Sequence, residues 1–199
     1  MINTNIATDA YTQLTIPNND IMAIPFNGEF GHLSLFNIYN DCTHNNSLSS
    51  LSTYLSSSHH IAQPTPNNHM IWLGDLNHHH PLWEPEINRH LGFSDVAIQP
   101  LFNLLNEYDM DLAFPPGIST YETATHNWTH LDNVWHSHHN SDPIISCNMN
   151  PCIRPPKANH LPIITIIELP IARTSSPPFH DFRSIDFVEF NTMLKAHLN

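Results

Sequence analysis

Positive charge is what this chain has least of. Only six of its 199 residues are Lys or Arg against 18 Asp or Glu, a formal net charge of −12, and the first 88 residues carry no cationic side chain. A protein that grips duplex nucleic acid normally shows a basic stripe, because neutralising phosphates supplies most of its non-specific affinity; that footprint is missing. Cysteine is scarce as well. Cys42, Cys147 and Cys152 are an odd three without C-x-x-C or zinc-ribbon spacing, which implies no disulfide framework and fits a reducing intracellular compartment, nuclear or cytoplasmic. No apolar run approaches the roughly 20 residues of a membrane helix, and Met1 to Tyr11 lack the basic and apolar segments of a signal peptide, so a soluble protein is expected. Histidine, by contrast, is abundant at 17 residues, and restores positive charge only where the pH falls toward about 6.

This length buries one full core and demands no second domain. The chain is organised around Ile71-Trp72-Leu73-Gly74-Asp75-Leu76-Asn77. A short apolar run ending in Gly-Asp-x-Asn reads as a buried strand whose tip presents a carboxylate and an amide together. Residues two apart on a strand point the same way, so Asp75 and Asn77 are expected to face one point at its carboxyl end. An anionic oxygen beside an amide suits a hard cation and a phosphate. A strand end turning into a loop uses the same residue types for backbone reasons.

Around this strand the pattern is mixed. Apolar runs broken by Asn27-Gly28 predict an antiparallel hairpin of 21–26 with 32–39. Asn45 or Asn46 is expected to cap a helix to about 57, with Leu48, Leu51 and Leu55 on one face, and Ser94 or Asp95 a second helix to about 108. Shorter strands are predicted at 109–114, 118–121, 131–135, 144–147 and 160–169. Asp186 with Glu189 reads as the cap of a terminal helix that docks on the core. The expected division is an irregular segment 1–20, a domain 21–170, and a linker with the terminal helix at 171–199. Asp132, between apolar residues on a strand, needs a partner, and His160 at the entrance of the most apolar strand is the candidate imidazole. His78, His79 and His80, with His136, His138 and His139, offer a second possibility, a histidine-rich metal-binding module, although adjacent histidines on a regular element do not converge on one ion.

Taken in order, Tyr39-Asn40 at a strand end, Gly74-Asp75-x-Asn77, Leu131-Asp132-x-Val134, and Asn159-His160 opening an apolar strand resemble the motif series of the endonuclease/exonuclease/phosphatase superfamily. The stretches 71–83, 108–120 with its Pro-Pro-Gly-Ile-Ser-Thr, 128–135 and 160–170 are similar more closely to the reverse-transcriptase-associated, retrotransposon-type endonuclease domains of fungal chains. The resemblance implies an α/β fold, a four-layer α/β sandwich of two packed mixed sheets flanked by helices. It implies divalent-metal-dependent phosphodiester hydrolysis with Mg²⁺ as cofactor. His160 would be the base that activates water, Asp132 the carboxylate fixing its tautomer, Asp75 and Asn77 the groups holding nucleophile and phosphate, and Tyr39 a phosphate contact. The implied partner is nucleic acid, DNA ahead of RNA, with a reverse-transcriptase module in a longer parent protein. Two departures stand out. Asn159 occupies the place of the family's Asp, which weakens a metal and phosphate role there. The family's Asn-bearing strand and its principal metal-binding Glu should precede the hairpin, and residues 1–20 contain neither. The expectation is therefore a domain incomplete at its N-terminus, with an exposed sheet edge and marginal stability, and with a non-catalytic retrotransposon-derived remnant as the alternative.

Overall fold

Antiparallel pairing of β1 (Ile21–Gly28) with β2 (Gly31–Ile38) forms the expected hairpin, in register from Ile21 opposite Ile38 to Gly28 opposite Gly31. The computed structural model describes residues 6, 10–28, 31–58, 67–138, 143–168 and 186–197. The strand expected around Ile71 is β3 (Asn68–Asp75), which lies parallel to β2. A parallel neighbour requires a crossover, and the chain between them contains α1 (Asn46–Ser57). β7 (Asp132–Ser137) runs antiparallel to β3 and carries β4 (Met110–Leu112) on its other side, so the sheet order is β1-β2-β3-β7-β4. β5 (Tyr121–Glu122) pairs with β6 (Trp128–Thr129), and β8 (Ile144–Met149) with β9 (Ile163–Ile167).

Strand alternation divides the core in two. From the five-stranded sheet, Phe36, Ile38, Met70, Trp72 and Trp135 face α1 and α2 (Asp95–Glu107), meeting Leu48, Leu51, Leu55, Leu101 and Leu104. Leu33, Ile71 and Val134 point the other way, onto Cys147, Ile144, Ile163 and Ile167 of the second sheet. Helices, a mixed five-stranded sheet and a second sheet therefore stack as an α/β sandwich. The outward side chains of that second sheet, Ile145, Ile164 and Ile166, are exposed.

Local chemistry accounts for most element ends. The Ser94 hydroxyl accepts from the Ala97 N–H (3.3 Å) and caps α2, while an Asp186 carboxylate oxygen accepts from Val188 and Glu189 N–H (2.9 and 3.2 Å) ahead of α3 (Phe187–His197). Asn45 behaves otherwise. It precedes α1 without a side-chain cap, because its amide is engaged elsewhere: it donates to the Ala97 carbonyl (2.8 Å) and accepts from Asn40 (3.3 Å). The strand expected from residue 160 begins only at Ile163, since Pro162 has no N–H for a ladder. Residues 10–14 lie along the outer side of β1, with Leu14 N–H donating to Ala23 O (2.9 Å) and Thr12 N–H to Pro25 O (3.3 Å). The proline inside β1 turns its missing donor toward this irregular edge, where no regular ladder needs it. The expected linker at 171–185 lies outside the described residues.

Candidate active site

β3 and β7 place two carboxylates face to face. Asp75, the last residue of β3, stands opposite Asp132, the first residue of β7. Like charges directly opposite on neighbouring strands destabilise a sheet, so this pairing needs a compensating group. His160 supplies one. Its Nδ1 lies 2.9 Å from one Asp132 oxygen and 3.2 Å from the other, and its Nε2 lies 3.9 Å from Asp75. Ligand atoms of the three residues all fall within 4.8 Å of one another, forming the one such cluster of histidine and carboxylate groups among the described residues. Burial, reinforced by the Asp132 charge, raises the Asp75 carboxyl above its ordinary range, while the Asn77 N–H (3.0 Å) works against that rise.

Tight backbone geometry delivers Asp75. Gly74 has φ +138° and passes so close to the end of β2 that a Cβ there would sit 2.0 Å from the Ile38 carbonyl oxygen. Only glycine fits this crossing. Beyond it the Asn40 N–H donates to Asp75 O (2.9 Å), and Leu76 N–H donates to Leu131 O (3.1 Å), extending the grip of β3 on both neighbours. Asn77 is not on the strand. It has φ +51°, so the strand alternation expected for Asp75 and Asn77 does not apply; its side-chain amide donates to the Asn40 carbonyl (2.7 Å). Asn77 is tied to the same rim by hydrogen bonds rather than by the pleat.

Other expected residues take different positions. Tyr39 follows the last residue of β2 on that rim and is exposed. Asn159 is exposed, and its carbonyl accepts from the Glu122 N–H (2.8 Å). The histidine run disperses: the Nε2 of His78 lies 3.4 Å from the Asn40 amide, the Nδ1 of His79 meets the buried carboxylate of Glu84 (2.5 Å), and His80 packs among Trp83, Phe93 and Phe102. His138 pairs with Asp111 (2.5 Å), and His139 lies outside the described residues. Among the described residues these imidazoles form no cluster of three metal-ligating groups, and His78, His79, His80 and His138 turn to separate partners. Burial tends to raise the Glu84 carboxyl, but hydrogen bonds from His79, Asn88 and the His130 N–H outweigh it and hold the group below its usual range.

Three further residues support the site, and of these the sequence marks only Asn40, at a strand end, while Thr120 and Tyr121 carry no such signal. Asn40 is fully buried, and its amide faces the carbonyls of Asp41 (3.3 Å) and Leu76 (3.5 Å) as well as Asn45 and His78. Thr120, also fully buried, accepts at its hydroxyl from Leu131 and Asp132 N–H (3.2 and 3.1 Å), fixing the start of β7. Tyr121 bridges to His160 and lays its ring 4.8 Å from the imidazole. No periodicity marks these three; only their position beside a strand end or a Pro-Pro-Gly turn hints at them.

A family model described as endonuclease-reverse transcriptase matches residues 33–164. No curated protein matches. Among solved structures, the fold is similar to the endonuclease domain of TRAS1, a telomere-specific non-LTR retrotransposon, with a TM-score of 0.63 and 14% identity over 80% of this chain and 69% of that one. It is also similar to an AP endonuclease from Archaeoglobus fulgidus (TM-score 0.54, 13% identity, 75% of this chain and 65% of that one). A third likeness is to the 3′ phosphatase NExo from Neisseria bound to product DNA hairpin (TM-score 0.56, 12% identity, 77% and 66%). This chain thus spans about two thirds of each structure's length. At these identities the likeness is one of fold.

Proposed function

The chain belongs to the endonuclease-reverse transcriptase family of the endonuclease/exonuclease/phosphatase superfamily, and from that premise we propose that it hydrolyses phosphodiester bonds of nucleic acid, DNA ahead of RNA, with Mg²⁺. The observation that carries the proposal is the cross-strand pair Asp75 and Asp132 with His160 held by one carboxylate and facing the other.

In the tautomer that donates from Nδ1 to Asp132, the imidazole Nε2 is unprotonated and faces the Asp75 side. There it takes the proton of an attacking water, and Asp132 stabilises the imidazolium that results. Asp75 orients that water through its free oxygen. The Asn77 amide keeps one N–H free of its bond to the Asn40 carbonyl, available to a phosphoryl oxygen. The donor set fits a hard cation: Mg²⁺ typically takes one or two carboxylates and completes its shell with water and phosphate, and Asp75 is a half-buried carboxylate beside a second anion. Asp75 would hold it, with Asn159 as a weaker neighbour, and the bound ion would offset charge on the phosphate and leaving oxygen.

The likeness to a phosphatase solved with a product DNA hairpin supports a DNA substrate. With a net charge of −12, added basic surface from a reverse-transcriptase module of a longer parent protein would strengthen binding. Nicking of supercoiled plasmid tests the reading: wild type cuts with Mg²⁺ and stops with EDTA, while His160→Ala loses the activity. Equal nicking by both proteins removes His160 from the chemistry.

A further inference from the structure

His160 makes a single isolated bridge, to Tyr121, and belongs to no strand. β9 begins three residues later, and the segment before His160 is a loop that turns at Lys157 with φ +67°. What ties this loop to the site is one of the chain's few cations. The Nε of Arg154 donates to the Ala158 carbonyl (2.6 Å) and its Nη2 to the Glu122 carboxylate (2.7 Å), with the guanidinium 5.3 Å from the ring centroid of Trp128. Arg154 thereby fastens the loop two residues before His160 to both strands of the β5–β6 hairpin. That hairpin in turn holds the imidazole: Glu122 N–H donates to the Asn159 carbonyl (2.8 Å), Leu161 N–H donates to Thr120 O (2.7 Å), and the Tyr121 ring lies against His160.

Resting on the reading of His160 as the group that activates water, we propose that Arg154 is a positioning residue, which fixes the His160 ring between Tyr121 and Asp132 by clamping Ala158 and Glu122 together. A cation in such a loop is otherwise expected to meet substrate phosphate directly. Here two of its donating edges are engaged inside the protein, its charge is matched by Glu122, and Trp128 stands against its face. Lysine is a poor substitute, since a point charge on a flexible stem does not span both acceptors in a fixed plane.

The test uses the full chain as wild type, Arg154→Gln, Arg154→Lys and Arg89→Gln. Arg89 serves as the charge control, because its exposed guanidinium pairs with exposed Glu86 (3.2 Å), away from the site. Two quantities are read: kcat and KM for plasmid cleavage with Mg²⁺, and the His160 Cε1–H proton resonance, which the nearby Tyr121 ring displaces from its free position. Arg154→Gln is expected to lower kcat by about tenfold to a hundredfold, the scale of a small misplacement of a reacting group. KM should stay within about twofold, and the resonance should move toward its free position and broaden. Arg154→Lys should fall between, and Arg89→Gln should match wild type. A rise in KM with kcat unchanged would overturn the proposal in favour of direct phosphate contact, and an unmoved resonance would overturn it outright. If wild type does not cleave DNA, the hydrolase reading fails while the resonance still decides the role of Arg154. Should Arg154→Gln not fold, Glu122→Gln decides: a smaller change in the same direction supports the clamp, and none refutes it.

Discussion

Replacing Gly74 with alanine tests the link between the sheet and the site. The added Cβ would lie 2.0 Å from the Ile38 carbonyl oxygen and 2.9 Å from its carbon, where real Cβ contacts essentially never fall below 3.0 Å. β2 and β3 must therefore part by about 1 Å, or the backbone must leave φ +138°. A side chain in that backbone region costs about 1–3 kcal/mol, and forcing the crossing apart costs a comparable amount. Together these predict a loss of about 2–6 kcal/mol, or a melting temperature lower by about 4–24 °C for a chain of this length. Asp75 follows immediately and lies 3.9 Å from His160 Nε2, so cleavage should also fall by about a hundredfold. Circular-dichroism melts and plasmid nicking measure the two effects. An alanine variant that melts within about 1 °C of wild type and cuts at its rate refutes both the close crossing and its role in placing Asp75.

Asp132→Asn keeps the shape of the carboxylate but not its charge. It should lower kcat by about a hundredfold with KM little changed, whereas an active variant would show that His160 needs no anion behind it. Asn40→Ala removes a fully buried amide facing several carbonyls, with an expected cost of about 1–3 kcal/mol in urea unfolding; no change would mean that water replaces it freely. Burial holds the His130 imidazole below its ordinary 6.5 despite a hydrogen bond to Asn133, so protonation is harder in the folded chain than in the unfolded one. Its contribution to stability is present above pH 6.5 and lost as the pH falls through the folded value. The melting temperature of His130→Gln should consequently depend less steeply on pH between about 7 and 5 than that of wild type; parallel curves would contradict this.

Much of the architecture follows from local sequence. The β1–β2 hairpin forms where the Asn-Gly break between apolar runs predicts one, although Asn27 and Gly28 themselves extend β1 opposite His32 and Gly31; the leucine spacing sets α1 and α2, and Ser94 and Asp186 cap their helices through their own side chains. The motif residues Asp75, Asn77, Asp132 and His160 were likewise legible, since each sits at a polar break beside an apolar run and the order of those breaks resembles the superfamily. The pairing of Asp132 with His160 follows from the same reading (2.9 Å), but the rest of the arrangement does not. Asp75 meets Asp132 because β3 and β7 pair across a gap of more than fifty residues, and Asn77 reaches the rim through Asn40 rather than through strand alternation. The same holds for Asn45, drawn from the cap of α1 to Ala97 and Asn40, and for Arg154, held between Ala158 and Glu122. Periodicity and capping act over a few residues and can be read along the chain. Hydrogen bonds between distant segments depend on which strands become neighbours, and the packed sheets alone decide that.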